Sequence, residues 1–286
     1  MATQPSLAGS AAKPTILAFH GSGSNATVHT VQLARLMRFI KSYFNVESLQ
    51  APFPSPAGPG ILPFFEGCDP FYRWLPPTEK ITLEAMHTGN STHILAPEVE
   101  SLIASTIQRI QSTTGSKVVG LIGFSQGTKV VAGLLRGLEI RRAMLAAGEE
   151  EVRKTGSWLD DILFGVSICG SYPPPLIPAS VLAALDKVSS SSSSSSATGS
   201  WTQEEKRRLL EKKIEIPTFH VQGTNDEWKW AGDGLIEGHY EVEEGKSVKV
   251  EWEMGHHYPV LPEESERVGG WMVEVLNKAE GEGEAR

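Results

Sequence analysis

Val118-Val119-Gly120-Leu121-Ile122, continued by Gly123-Phe124-Ser125-Gln126-Gly127, is the stretch on which the reading of the fold turns. An apolar run that ends in Gly-x-Ser-x-Gly reads as a buried strand driving into a sharp turn that presents a serine. A strand that becomes a helix at once leaves no room for side chains two positions either side of that serine, so both positions are glycine. Val130, Val131, Leu134, Leu135 and Leu138 then recur at helical spacing, which completes the order strand, turn, helix. Ser125 is therefore read as a nucleophile, against the alternative of a buried turn serine.

A serine hydroxyl is a weak nucleophile at neutral pH and needs a base, oriented by an acid. Downstream, Thr218 to Gly223 reads as a strand whose end carries Asp226, and Val248 to Trp252 as another that ends near His256 and His257. The chain order Ser, Asp, His is that of α/β-hydrolases and differs from the orders of the chymotrypsin and subtilisin folds. Asp226 has a second reading as a helix cap, with Glu227 and Asp233 as fallback acids. His256 and His257 are adjacent and would point in different directions, so the residues alone leave the base open between them. A metal pair is the rival use of two histidines, but no further ligands are suggestively spaced nearby, and no metal is expected.

Near the N-terminus, Thr15-Ile16-Leu17-Ala18-Phe19 reads as a strand entering His20-Gly21-Ser22-Gly23-Ser24, a loop able to offer a backbone N–H to an oxyanion. Ser22 is the candidate there and Gln126, directly after the nucleophile, supplies the other donor. His20 precedes the strand order that a base requires and reads as a structural brace of the loop.

Further strands near 44–49, 163–169, 216–222 and 247–253 alternate with helices expected over 27–41 and 97–112, a rhythm that implies a mainly parallel sheet. Ligands of such sheets sit at the carboxyl ends of the strands, where every candidate above falls. Residues 51–78 interrupt the rhythm with many prolines and with Phe53, Phe64, Phe65, Phe71, Tyr72 and Trp74. Such a segment is read as a cap over the site, with a loop packed on the core as the alternative. Phe64, Phe65, Phe71, Trp74 and Trp228 are the expected substrate contacts. Trp228 and Trp230 serve equally well as core.

The 286 residues suffice for one α/β domain, expected over 15–279, with flexible ends at 1–14 and 280–286 and a flexible serine-rich insert at 187–201. Thr202 to Lys213 reads as a short charged helix, either a solvated face or a dock for an acidic partner. A formal charge of −8 argues against nucleic acid, and no run of about 18 apolar residues is present to span a bilayer. With a polar N-terminus and only Cys68 and Cys169, the composition points to a soluble cytoplasmic protein with free thiols.

These segments together resemble the fungal family of serine hydrolases abbreviated FSH, small α/β-hydrolases that include thioesterase-like enzymes releasing polyketides from carrier-bound synthases. The similarity runs from Ile16 to about Leu276. It rests on FHGSGSN at 19–25, APFPSPAGPG at 51–60, FYRWL at 71–75, GFSQG at 123–127, HVQGTND at 220–226 and GHHYP at 255–259. The family's last motif usually reads GGHxVP, whose histidine falls on His256; here Met254 and Tyr258 stand for its first glycine and its valine. The resemblance implies hydrolysis of an ester or thioester through an acyl-enzyme on Ser125, with no cofactor. It implies a small-molecule substrate, with an acyl carrier protein of a synthase as a possible partner, and the aromatic cap favours a hydrophobic acyl or aryl chain. An acidic carrier would meet a negative enzyme unless the basic residues at 206–213 compensate. Acyl transfer to an alcohol or amine, a detoxifying carboxylesterase and a non-catalytic binding module are the alternatives.

Overall fold

In the computed structural model, which describes residues 12–190, 201–242 and 246–284, every expected strand lies within two residues of its expected ends. β1 (Thr15–Phe19) leads through helices α1 (Ala26–Gln32) and α2 (Ala34–Ile40) to β2 (Asn45–Leu49). Next come a ribbon of β3 (Phe53–Ser55) with β4 (Phe71–Arg73), helix α3 (Leu83–Thr88), β5 (Ile94–Leu95) and α4 (Pro97–Thr114). β6 (Val118–Phe124) enters α5 (Gly127–Ala146), and β7 (Phe164–Ile168) runs through β8 (Ile177–Pro178) to α6 (Ala179–Ser190) and α7 (Gln203–Glu211). β9 (Thr218–Gly223), α8 (Lys229–His239), β10 (Val248–Trp252) and α9 (Pro262–Glu284) follow.

Six strands form one all-parallel sheet in the order β10-β9-β7-β6-β1-β2. Its four inner strands, β9, β7, β6 and β1, are buried along their whole length because both faces are covered, whereas the edge strands β2 and β10 are partly exposed and carry Glu47, Lys249 and Glu251. Leu17, Phe19 and Leu121 pack with α4, α5 and α6, whereas Ile16, Ala18 and Ile122 pack with α2 and α9. The chain leaves β1 toward β2 on one side and returns to its other side as β6, so the order reverses between β1 and β6. Outside the carboxyl ends of those two strands is the crevice where such sheets bind ligands. This is the α/β-hydrolase sheet, with the cap segment placed over its carboxyl edge.

Four local expectations change. The single helix over 27–41 is two, joined at Leu33, because the stretch has two burial targets. α1 buries Val28 under the cap and His29 against Tyr258, while α2 buries Leu36 and Ile40 in the core shared with α9. The insert begins later than 187, since α6 carries through Ser190; residues 191–200 lie outside the described residues. At the other end α9 runs to Glu284, where Lys278, Ala279 and several glutamates favour a helix enough to tolerate Gly281. Lys13 and Pro14, assigned to a flexible end, accept hydrogen bonds from Asn45 through their carbonyls.

α4 is closed by Gly115, whose φ of 68° is left-handed. α7 opens with the reciprocal Thr202–Glu205 capping box. Its cations are engaged by the chain itself: Arg207 with Glu204 and Glu211, Arg208 with Glu204, and Lys206 with Asp186. Among the described residues no helix is long and apolar enough to cross a membrane.

Candidate active site

The turn after β6 is built by close approach. A Cβ on Gly127 would lie 2.1 Å from the Phe19 carbonyl oxygen, and one on Gly123 would lie 2.7 Å from the Gly127 carbonyl carbon. Neither backbone can retreat, so a side chain at either position is incompatible with the bend. Ser125 carries the strain, with φ of 49°, and its N–H is held by the Ile168 carbonyl at the tip of β7. α5 starts immediately, with no side-chain cap at Gln126, so its N-terminus and partial positive charge open toward the serine.

The tip of β9 brings Asp226 to the same place from another strand. Its Oδ2 accepts from His256 Nδ1 at 2.8 Å and its Oδ1 from the Trp228 N–H at 2.8 Å. Burial alone would push this carboxyl up, but the hydrogen bond and charge of His256 and the Trp228 N–H outweigh it, so Asp226 ionises below the ordinary carboxylate range. An ionised carboxylate on Nδ1 fixes the imidazole tautomer and leaves Nε2 as the acceptor. His256 also packs on Phe124, with ring centroids 5.1 Å apart, and lines one cavity with Ser125 and Gln126. His257 also lines the cavity, but both of its ring nitrogens are engaged locally, Nδ1 with the Tyr258 carbonyl and Nε2 accepting from the Gly255 N–H. The fallback acids are elsewhere: Glu227 is exposed, and Asp233 is bound by Lys229 and Lys249.

Ser22 lines the cavity beside Gly21, in a loop clamped by the cap. The Gly23 N–H donates to the Tyr72 carbonyl, and the Gly58 N–H to the Gly23 carbonyl. Gly23 has φ of 66°, and a Cβ there would lie 2.1 Å from the Gly58 nitrogen. His20 is fully buried, with Nδ1 on the Gly21 carbonyl and Nε2 accepting from the Ala51 N–H. Burial pulls it down to about 4, although the Gly21 carbonyl bond raises it, and it stays a neutral brace.

The cavity encloses about 570 Å³. Phe64, Phe65 and Trp228 line it, Phe64 with 85% of its surface exposed at the rim. Two expected contacts are corrected. Phe71 is buried under the cap against Val28 and Ile61, because its strand position in β4 points it into that small core. Trp74 is fully buried and ties the two halves of the site together: its backbone N–H donates to Gln126 Oε1 at 2.7 Å and its indole Nε1 to the His20 carbonyl at 2.7 Å. A tryptophan needs a partner for its N–H, and here that need is met by the loop, not by a ligand.

The remaining apolar wall was not legible. Ile81 and Met86 come from around α3, Tyr172 from the loop after β7, and Ala231 from α8. Lys129 Nζ holds the Tyr172 carbonyl at 3.0 Å from below. Cys169, at the tip of β7, is among the described residues the other non-glycine with positive φ, 47°. Its sulfur bonds the Gly255 and His257 carbonyls on either side of His256, and lies with the Asp226 and His256 donor atoms within 4.8 Å of one another. Burial and the neighbouring carboxylate push the thiol up, and its S–H donates to those carbonyls.

The chain is similar to known serine hydrolases over most of its length. The family model described as Serine hydrolase (FSH1) matches residues 10–268. The chain is 29% identical over 250 residues to Esterase GME11355 of Pestalotiopsis microspora, covering 85% of this chain and 84% of that protein. To Thioesterase FSL2 of Gibberella zeae it is 26% identical over 270 residues, 93% of this chain and 94% of that protein. A dihydromonacolin L-[lovastatin nonaketide synthase] thioesterase of Aspergillus terreus is 27% identical over 264 residues, 92% and 90% of the two chains. A strained serine between strand and helix, over a match that spans most of the chain, places this protein in the FSH1 serine hydrolase family.

Proposed function

We propose that the protein hydrolyses a carboxylic ester or thioester with a hydrophobic acyl group through an acyl-enzyme on Ser125. The observation that carries this reading is the hydrogen bond from His256 to the ionised Asp226 at the edge of the cavity that Ser125 lines. Nε2 of His256 takes the hydroxyl proton as Oγ attacks the carbonyl carbon, and the oxyanion falls to the N–H groups of Gln126 and Ser22. His256 then gives that proton to the leaving alkoxide or thiolate, and a water deprotonated by the same imidazole releases the acid. Two relatives are thioesterases by name, one of them of a polyketide synthase, which supports a thioester, carrier-bound or free, as the natural substrate.

A fluorophosphonate probe is expected to label the wild type and not Ser125→Ala; equal labelling would reassign the nucleophile. His256→Ala is expected to lower turnover of a nitrophenyl ester by on the order of 10⁴, because triad members act as a unit, with His257→Ala keeping most of it. The opposite ranking would move the base to His257.

A further inference from the structure

The cavity has two unlike walls. Ile61 and Phe65 of the cap, Met86 of α3 and Trp228 at the start of α8 make one of them apolar; the other is the segment from Gly21 to the end of α1. That second wall carries two polar atoms the fold leaves unused. Ser24 is 2% exposed, and its Oγ has no hydrogen-bond partner among the described residues. Gln32 Oε1, from the last residue of α1, is likewise buried and unpartnered. Both residues line the cavity.

Neither atom has structural work to do. The cap of α1 is Asn25, whose Oδ1 accepts from the Val28 N–H, and Ser24 is held by its backbone, through the N–H and carbonyl that pair with Tyr72. Glutamines elsewhere around the site have their oxygens filled: Gln126 by the Trp74 N–H, Gln50 by Ala26 and Gln222 by Gly170. Buried polar atoms are rarely left unpaired, and a pocket sets orientation with a few such groups in an apolar lining. No Lys, Arg, Asp or Glu among the described residues lines the cavity, so away from the serine and the two histidines it offers a charged group no fixed counter-charge.

We propose that Ser24 and Gln32 form a hydrogen-bonding subsite for an uncharged hydroxyl or amide group on the substrate, so that the enzyme prefers an ester or thioester carrying such a group over its plain alkyl counterpart. The proposal rests on the cavity being the acyl-transfer site of Ser125. Gln32 Oε1 accepts from the substrate's O–H or N–H, and the Ser24 hydroxyl donates to its oxygen or accepts from it. A site built around a substrate hydrogen bond discriminates strongly against the analogue that lacks it, since its own polar atoms are then buried unpaired.

The group can sit on the acyl chain or on the leaving group, and two substrate series separate these sources. One compares nitrophenyl esters of a plain fatty acid with those of the same acid hydroxylated at successive positions. The other compares thioesters of one acyl chain with N-acetylcysteamine and with pentanethiol, whose chains are equal in length and differ by an amide in the leaving group. In at least one series the wild-type kcat/KM is expected to favour the polar member by about tenfold or more. Ser24→Ala and Gln32→Met, each close in shape to the native side chain, are expected to bring that ratio toward one, and the double variant to abolish it. Equal kcat/KM across every matched pair in the wild type, or a preference that survives in the double variant, would overturn the subsite. Turnover retained by Ser125→Ala would instead overturn the catalytic reading on which it stands.

Discussion

At the scale of single residues, the serine, carboxylate and imidazole proposed to act on the substrate stand at strand tips, while Trp74 braces the loop after β1 and the turn after β6. Ser125, Asp226 and His256 announce themselves because each sits in a short pattern tied to a strand tip, and backbone direction at a tip follows from local sequence. Trp74 does not, because an aromatic residue in a proline-rich segment can face a ligand or the core, and only the tertiary path of the cap decides which. Its two donated hydrogen bonds make it the link between the oxyanion loop and the nucleophile turn. Trp74→Phe keeps the ring and the backbone donor and removes the indole N–H, leaving the buried His20 carbonyl without that partner. A loss of about 1 to 3 kcal/mol of stability is expected from the orphaned acceptor. Because the indole does not line the cavity, kcat should fall by roughly tenfold or more while KM stays within about twofold, as for a residue that acts on the transition state through the loop. A KM that rises with unchanged kcat would return Trp74 to the acyl wall.

At the scale of elements, the alternation of strands and helices was legible because both faces of the parallel sheet are covered, which makes inner strands such as β1 and β6 nearly unbroken apolar runs. The region between β2 and α4 was not legible. Its ribbon is short, and α3 has no buried residue, so no hydrophobic period marks the two residues, Ile81 and Met86, that it brings to the cavity. The polar wall left no sign either, since Ser24 and Gln32 are ordinary in composition and differ only in having no partner. The junction of β6 with α5 is the element on which the site depends most. Gly127→Ala places a methyl 2.1 Å from the Phe19 carbonyl oxygen and 2.9 Å from that of His20, both backbone atoms of β1 and the oxyanion loop. Something must move, and overpacking of this kind costs about 1 to 3 kcal/mol. The expected outcome is a folded protein with a lower denaturation midpoint and a kcat/KM reduced about a hundredfold, since displacement of the loop misplaces an oxyanion donor. Wild-type activity in Gly127→Ala would show that the loop is not held by this contact.

At the scale of the whole molecule, the fold buries several titratable groups in their neutral forms, and this fixes how stability must vary with pH. Burial pulls His20 down to about 4, while burial with nearby Lys249 takes His220 to about 3, and burial with the charges of Arg136 and Lys129 takes His239 to about 4. An unfolded histidine titrates near 6.5, so between about 6.5 and 4 the unfolded chain holds more protons than the folded one. Stability from these residues is therefore complete above about 6.5 and lost as pH falls through the folded values; for His20 alone the difference corresponds to about 3 kcal/mol. Lys129 extends the slope upward. Burial pulls it down to about 7 despite nearby Glu79, so between pH 7 and its unfolded value near 10.5 the unfolded state again holds the extra proton. That adds roughly 2 to 3 kcal/mol between about pH 7 and 9. Cys169, Tyr240 and Tyr258 act in the opposite sense, since burial pushes each up and keeps it protonated after the unfolded chain has ionised. Stability should thus climb from about pH 5 to a maximum near pH 8 to 9 and decline beyond it. Urea midpoints measured across that range are the check, and Lys129→Met isolates the upper limb. In that variant the rise between about pH 5 and 6.5 should persist while the rise between about pH 7 and 9 flattens, because only the second belongs to the lysine. An unchanged slope above pH 7 in Lys129→Met would mean that the ammonium is stabilised where it lies, over the Tyr172 ring and on the Tyr172 carbonyl, and is not held neutral by burial.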